Sequence, residues 1–120
     1  MIRTKSIYDP PSRDDGVRVL VTRYWPRGVK KEKSALWFKD LGPSPELIKR
    51  WKSGSIPWKE FEKKYLAEYA DENKKAVLEE LRTEIKKTRR ANVTLLCTCK
   101  ETEPCHRKIL REMLLGGTFL

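Results

Sequence analysis

All three cysteines and the single histidine of this chain lie within residues 92–115, NVTLLCTCKETEPCHRKILREMLL. A thiol acts as a nucleophile or a metal ligand only as its thiolate, which is favoured at helix N-termini and beside cations. Cys105 is followed directly by His106 and Arg107, so those conditions are written into the sequence. The pattern predicts a depressed pKa at Cys105, with His106 as its neighbouring base and Cys99 as a resolving thiol. The spacing is not that of the phosphatase loop. A cysteine followed six residues later by arginine occurs only as Cys105 and Arg111, which falls mid-helix. It is not C-x-x-C either. A free cysteine is also a small buried hydrophobe, and that reading fits Cys97 best.

Metal binding is the second chemistry. Cys97, Cys99, Cys105 and His106 form C-x-C-x5-C-H, a set of soft and borderline ligands of the kind zinc takes. Structural zinc sites use two separated ligand pairs, however, and adjacent Cys105 and His106 would both have to bend to one ion. The expectation is therefore no metal and no cofactor.

The third is anion binding. Arg23 and Arg27 flank Tyr24 and Trp25 in one segment, and Arg107 lies in the other. A guanidinium presents a planar fork to phosphate or carboxylate, and a helix N-terminus adds free N–H groups. Arg23, Trp25, Arg27 and Arg107 are the ligand-binding candidates, and a small anionic, phosphate-bearing molecule is the expected partner. The competing reading pairs these arginines with Asp40, Glu101 or Glu103.

Which elements would bring these residues together? Residues 93–96 read as a buried strand, and Ile109, Leu110, Met113 and Leu114 recur at helical spacing after Cys105. Thr102 or Glu103 is the expected N-cap, with Pro104 at the first or second helical position. Residues 17–23, VRVLVTR, form the richest β-forming run and read as a central strand that stops at Pro26. Residues 6–8 are expected to form a first strand, and residues 9–16 carry turn chemistry. Residues 35–38 fit a short helix or an extended segment equally well. Ser44, Pro45 and Glu46 start a helix that buries Leu47, Ile48 and Trp51. A second helix opens at Pro57 with Phe61, Tyr65 and Tyr69 facing the core. A third carries Val77, Leu78, Leu81 and Ile85 on one stripe and ends in a basic run over residues 86–90.

Long helical connections between strands indicate parallel crossovers. The expected fold is one compact α/β domain spanning residues 1–120, with a small, mostly parallel sheet flanked by helices. If the strands at 17–23 and 93–96 are parallel neighbours, their C-terminal ends share the edge at which such sheets bind ligands. The arginine loop and the cysteine stretch would then converge.

The run DGVRVLVTRYWPRGVKKEKSALWFKDLGPSPELIKRW resembles the YeaO-like group of the domain-of-unknown-function family 488, with R-x-W-P-R-G as its specific part. The CHR at residues 105–107 is similar to the cysteine-containing branch of that family. The resemblance covers most of the chain and implies a compact α/β fold. Thr22 stands where many members are expected to carry an acidic residue.

Composition sets the limits. Of the 120 residues, 27 are Lys or Arg and 17 are Asp or Glu, for a formal charge of +10. Part of that excess is ordinary solvated surface, but it also favours acidic partners, including nucleic acid. A nucleic-acid-binding module is accordingly the alternative function. The first residues contain no apolar leader and no run is long enough to cross a bilayer, so the expectation is a cytoplasmic protein without membrane contact.

Overall fold

The computed structural model describes residues 1–34, 36–88, 92–99 and 104–116. Four strands form one sheet: β1 (Ile2–Ser6), β2 (Val17–Leu20), β3 (Leu36–Trp37) and β4 (Val93–Cys97), in the order β1-β4-β2-β3. All pairings are parallel. Four helices accompany them: α1 (Pro45–Lys52), α2 (Trp58–Ala67), α3 (Glu72–Thr88) and α4 (His106–Gly116).

β4 is central, and all five of its residues are buried, as a strand with neighbours on both sides requires. Alternate residues divide between two faces. Val19, Val93, Leu95 and Ile2 join Leu47, Phe61, Leu78 and Leu110 in one core, so all four helices cover the same face of the sheet. On the opposite face, Leu20 and Leu96 pack with Ile7, Trp25 and Val29, which belong to loops. The sheet is thus helical on one side and loop-covered on the other.

Several elements differ from expectation in their limits. The first strand is Ile2–Ser6, not residues 6–8, and Tyr8 is exposed. Its polar residues Arg3, Thr4 and Lys5 hide the strand signal, yet they pair in register with β4. β2 ends at Leu20, although the Val21 N–H still reaches the Leu96 carbonyl at 3.0 Å. Residues 36–37 are extended. α1 begins as its sequence dictates, with Ser44 Oγ accepting from the Leu47 N–H at 3.2 Å and Pro45 in the first turn. Leu47 is buried there, while Ile48 and Trp51 are only half-buried. α4 starts at His106, which puts Cys105 immediately before it and Pro104 outside it. The expected cap at Thr102 or Glu103 lies outside the described residues, as do Arg89 and Arg90 of the basic run.

A buried ionic cluster fastens the loop-covered face. The Asp15 carboxylate accepts from Lys5 Nζ at 3.0 Å, from the Ser12 N–H at 3.0 Å, and from the Arg18 guanidinium. Thr94 Oγ1 donates to the Asp15 carbonyl at 2.7 Å, tying this loop to β4. Gly16 follows with φ of 63° and lies so close to Asn92 that a Cβ would stand 1.9 Å from its carbonyl oxygen. Burial alone would raise the Asp15 pKa. The bonds from the Ser12 backbone, Lys5, Arg18 and the Ser12 hydroxyl overcome that and hold it at about 2.

Asp15→Asn should destabilise the protein by about 3 kcal/mol or more, because it strands a buried guanidinium. The wild-type contribution has a defined pH window. The folded pKa lies below the unfolded value of about 3.9, so this stability is complete above that pH and is lost as pH falls through 2. Urea unfolding between pH 7 and pH 2 should show the loss in the wild type and not in the variant.

Candidate functional site

The register Leu20↔Leu96 brings the two strands to their C-terminal ends side by side. Residues 22–26 therefore leave β2 beside residues 97–99 leaving β4. The end of α1 and the start of α2 bring Trp51, Lys52, Trp58 and Phe61 to the same place, and the start of α4 brings Cys105 and His106. Together they enclose a cavity of about 250 Å³ at the sheet edge. One wall is aromatic: Trp58 stacks on Phe61 with ring centres 4.9 Å apart, and Trp51 meets Trp58 edge-on at 5.3 Å.

Another part of the lining carries sulfur. The Sγ atoms of Cys97, Cys99 and Cys105 all lie within 4.8 Å of one another. The strand explains the first two: Cys97 and Cys99 are two residues apart, and Cys105 returns over the strand end just before α4. Cys97 Sγ accepts from the Cys99 N–H at 3.3 Å and from Arg107 Nη1 at 3.2 Å. Arg107 also donates to the Cys99 carbonyl at 2.9 Å. It is fully buried, behind the sulfurs rather than in the cavity.

The proton does not leave where the sequence places it. Hydrogen bonds from the Cys105 and Cys97 thiols, helped by the charge of Arg107, pull the Cys99 pKa strongly down. Those same bonds, to Cys97 and Cys99, together with burial push Cys105 far up. Cys97 is raised to about 11. Cys99 is also the half-buried member of the three, so the lowered pKa falls on the more accessible sulfur. The expected depression at Cys105 is thus reversed in direction.

His106 sits with Nδ1 3.7 Å from Cys105 Sγ and Nε2 2.7 Å from the Val21 carbonyl. A carbonyl only accepts, so Nε2 carries the proton and Nδ1 presents its lone pair to the thiol. Burial lowers the imidazole pKa to about 4, against the opposing pull of the Val21 carbonyl. Tyr65 packs edge-on against the ring at 5.6 Å.

The three candidate arginines are not brought together. Arg23 lines the cavity, but its guanidinium is engaged: Nε with the Pro43 carbonyl at 2.8 Å, Nη2 with the Gly42 carbonyl at 3.0 Å, and Nη1 3.8 Å from Asp40. Arg27 is exposed and does not line the cavity, and Arg107 is buried behind it. Trp25 lines the cavity, with its indole N–H donating to the Val29 carbonyl at 2.8 Å. Sequence reasoning passed over Lys52, Trp51, Trp58 and Phe61 as wall residues. Their only signal is an aromatic cluster at the junction of two short helices, which core packing produces equally well.

The molecule is therefore a parallel α/β protein with a cysteine-walled cavity at the carboxyl edge of its sheet. The family sequence model described as "Active DUF488-N3 subclade" matches residues 2–117, and the chain belongs to the DUF488 family. It is 37% identical to "Uncharacterized protein YeaO" of Escherichia coli (strain K12), over 94% of this chain and 96% of that protein. It is 34% identical to "Uncharacterized protein Rv3073c" of Mycobacterium tuberculosis (strain ATCC 25618 / H37Rv), over 96% of this chain and 94% of that protein. No solved structure matches it significantly. Among the described residues, no helix is long and apolar enough to cross a membrane.

His106 is the only histidine, so its ring protons are readily assigned. Proton NMR should show no titration between pH 8 and pH 5 and a midpoint near 4. The folded pKa lies below the unfolded value of about 6.5, so neutral His106 supports folding above that pH. The support is lost as pH falls through 4. A midpoint above 6 would contradict the buried neutral ring.

Proposed function

We propose that the strand-end cavity binds a small ligand with an apolar body and an anionic group, and that the cysteine cluster acts on it through a thiolate. The observation that carries this reading is the set of three sulfurs on a cavity wall, with a backbone N–H and a buried guanidinium donating into it. The aromatic wall of Trp51, Trp58 and Phe61 suits the apolar body. Lys52 and the opening turn of α4 suit a phosphate or carboxylate. The roles of the cysteines are exchanged relative to the sequence reading. Cys99 is the nucleophile, and the Cys105–His106 pair beside it holds and moves the proton. Three free thiols at one point fit a reducing compartment such as the cytosol.

The alternative, a nucleic-acid-binding module, draws on the charge of +10. Lys30, Lys31 and Lys33 precede β3, and Lys86 and Lys87 close the helix that leads to β4. These clusters belong to the amino edge of the sheet, away from the cavity.

The test is the alkylation rate of each cysteine against pH, read by mass spectrometry on reduced protein with a chelator present. Cys99 should react first and keep its rate well below the ordinary thiol pKa of about 8.5. Phenyl phosphate should slow it. Cys99 titrating like free cysteine, or Cys105 reacting first, would sink the reading. Tight, salt-sensitive oligonucleotide binding that leaves Cys99 alkylation unchanged would favour the alternative.

A further inference from the structure

We propose that Cys97, Cys99 and Cys105 form a three-sulfur site for a soft d10 ion, Zn2+ or Cu+, with its open coordination position facing the cavity. The inference rests on the reading above for the cavity and its ligand, whose anionic group would meet the ion; in the loaded form Cys99 is a ligand, and the free Cys99 nucleophile belongs to the stripped form.

Three observations carry it. The first is spacing. Thiolates bound at about 2.3 Å in a tetrahedral array stand roughly 3.8 Å apart. The three sulfurs are already within 4.8 Å of one another, so closure needs side-chain adjustment of about half an ångström each and no backbone change. The objection that adjacent Cys105 and His106 cannot both reach one ion lapses, because three sulfurs suffice without the histidine. The second is the outer shell. The Cys99 N–H and Arg107 Nη1 both donate to Cys97 Sγ, and such donors stabilise a metal-bound thiolate and fix its orientation. Arg107 also places a positive charge where three thiolates with one divalent ion would leave a net negative one. The third is the open side. All three cysteines line the cavity, with His106 Nδ1 at its margin beside Cys105. Three protein ligands with an open position are the arrangement of reactive sites rather than closed structural ones. Thiolate donors select Zn2+ and Cu+ over harder ions.

The test uses the full chain, reduced and stripped with a chelator. Co2+ should bind at one equivalent, with the sulfur-to-cobalt charge-transfer band and the intense visible bands of a tetrahedral thiolate site. Zn2+ should displace it. Cu+ is added separately against a chromophoric Cu+ chelator, which reads its affinity for the same three sulfurs. Cys99→Ser, at the half-buried position, should keep the fold by circular dichroism and weaken binding on the order of tenfold or more. Bound ion should also protect all three thiols from alkylation. Failure to bind either ion, or binding unchanged in Cys99→Ser, overturns the site. If Cys99 of the stripped protein still alkylates fast at low pH in that case, the thiolate reading stands and only the metal site falls. If the stripped thiols are inert and no ion binds, both fall.

Discussion

The parallel ladder between β2 and β4 is the constraint on which the rest of the structure depends. Its register, from Val17↔Val93 to Leu20↔Leu96, fixes two things at once. Because side chains alternate, it sends Val19 and Leu95 to the helix-covered core and Leu20 and Leu96 to the loop-covered face. A slip of one residue would exchange the two sets and set each against packing shaped for the other. Because the strands are parallel, it also makes both chains leave the sheet at the same edge. The cysteines that follow β4 and the Thr22–Pro26 segment that follows β2 can then line one cavity. An antiparallel pair would have put them at opposite ends.

A polar clamp holds residues 41–43, the turn that brings Pro43 into the cavity lining. Tyr65 Oη donates to the Leu41 carbonyl at 2.6 Å, Lys74 Nζ to the Gly42 carbonyl at 2.7 Å, and Arg23 to the Gly42 and Pro43 carbonyls. Each such bond contributes only about 1 kcal/mol net, but a buried carbonyl left bare costs roughly 1–3 kcal/mol, so the donors are obligatory. Lys74 is buried, which lowers its pKa against the opposing pull of Glu68, and it lies 5.0 Å from the Tyr69 ring centre. This explains why Arg23 is a poor free anion fork although it faces the cavity. Its donors already hold the turn that shapes the wall.

Much of this was legible in the sequence, and the misses have physical causes. The β-branched run before Cys97, the Ser44 cap and the Phe61–Tyr65–Tyr69 stripe declared their elements, because local propensity and burial agree there. Ile2–Ser6 was hidden because its sheet pairing leaves Arg3, Thr4 and Lys5 only half-buried. β3 is two residues long, too short for any period to register. The convergence on the sheet edge followed from topology, but the membership of the site did not. Helix phase, not residue type, decides whether Arg107 faces solvent, ligand or sulfur. Asp15 and Lys74 are buried charges, which composition alone places on the surface.

Placing the cation behind the sulfurs has a consequence that a solvent-facing arginine would not give. Arg107 meets Cys97 from the protein interior, where screening by water is weakest, and it holds that sulfur without occupying the cavity. Its charge therefore acts on the cluster from the interior, while the cysteines line the cavity on their other side. His106 is arranged on the same principle. The Val21 carbonyl takes its one proton, and its lone pair faces Cys105. Arg107 Nη1 reaches the Cys97 sulfur and the Cys99 carbonyl, and His106 Nε2 reaches the Val21 carbonyl, so these donors are committed to sulfur and backbone. Donors fixed in this way hold the sulfurs and the imidazole in one arrangement, which packing alone would not specify.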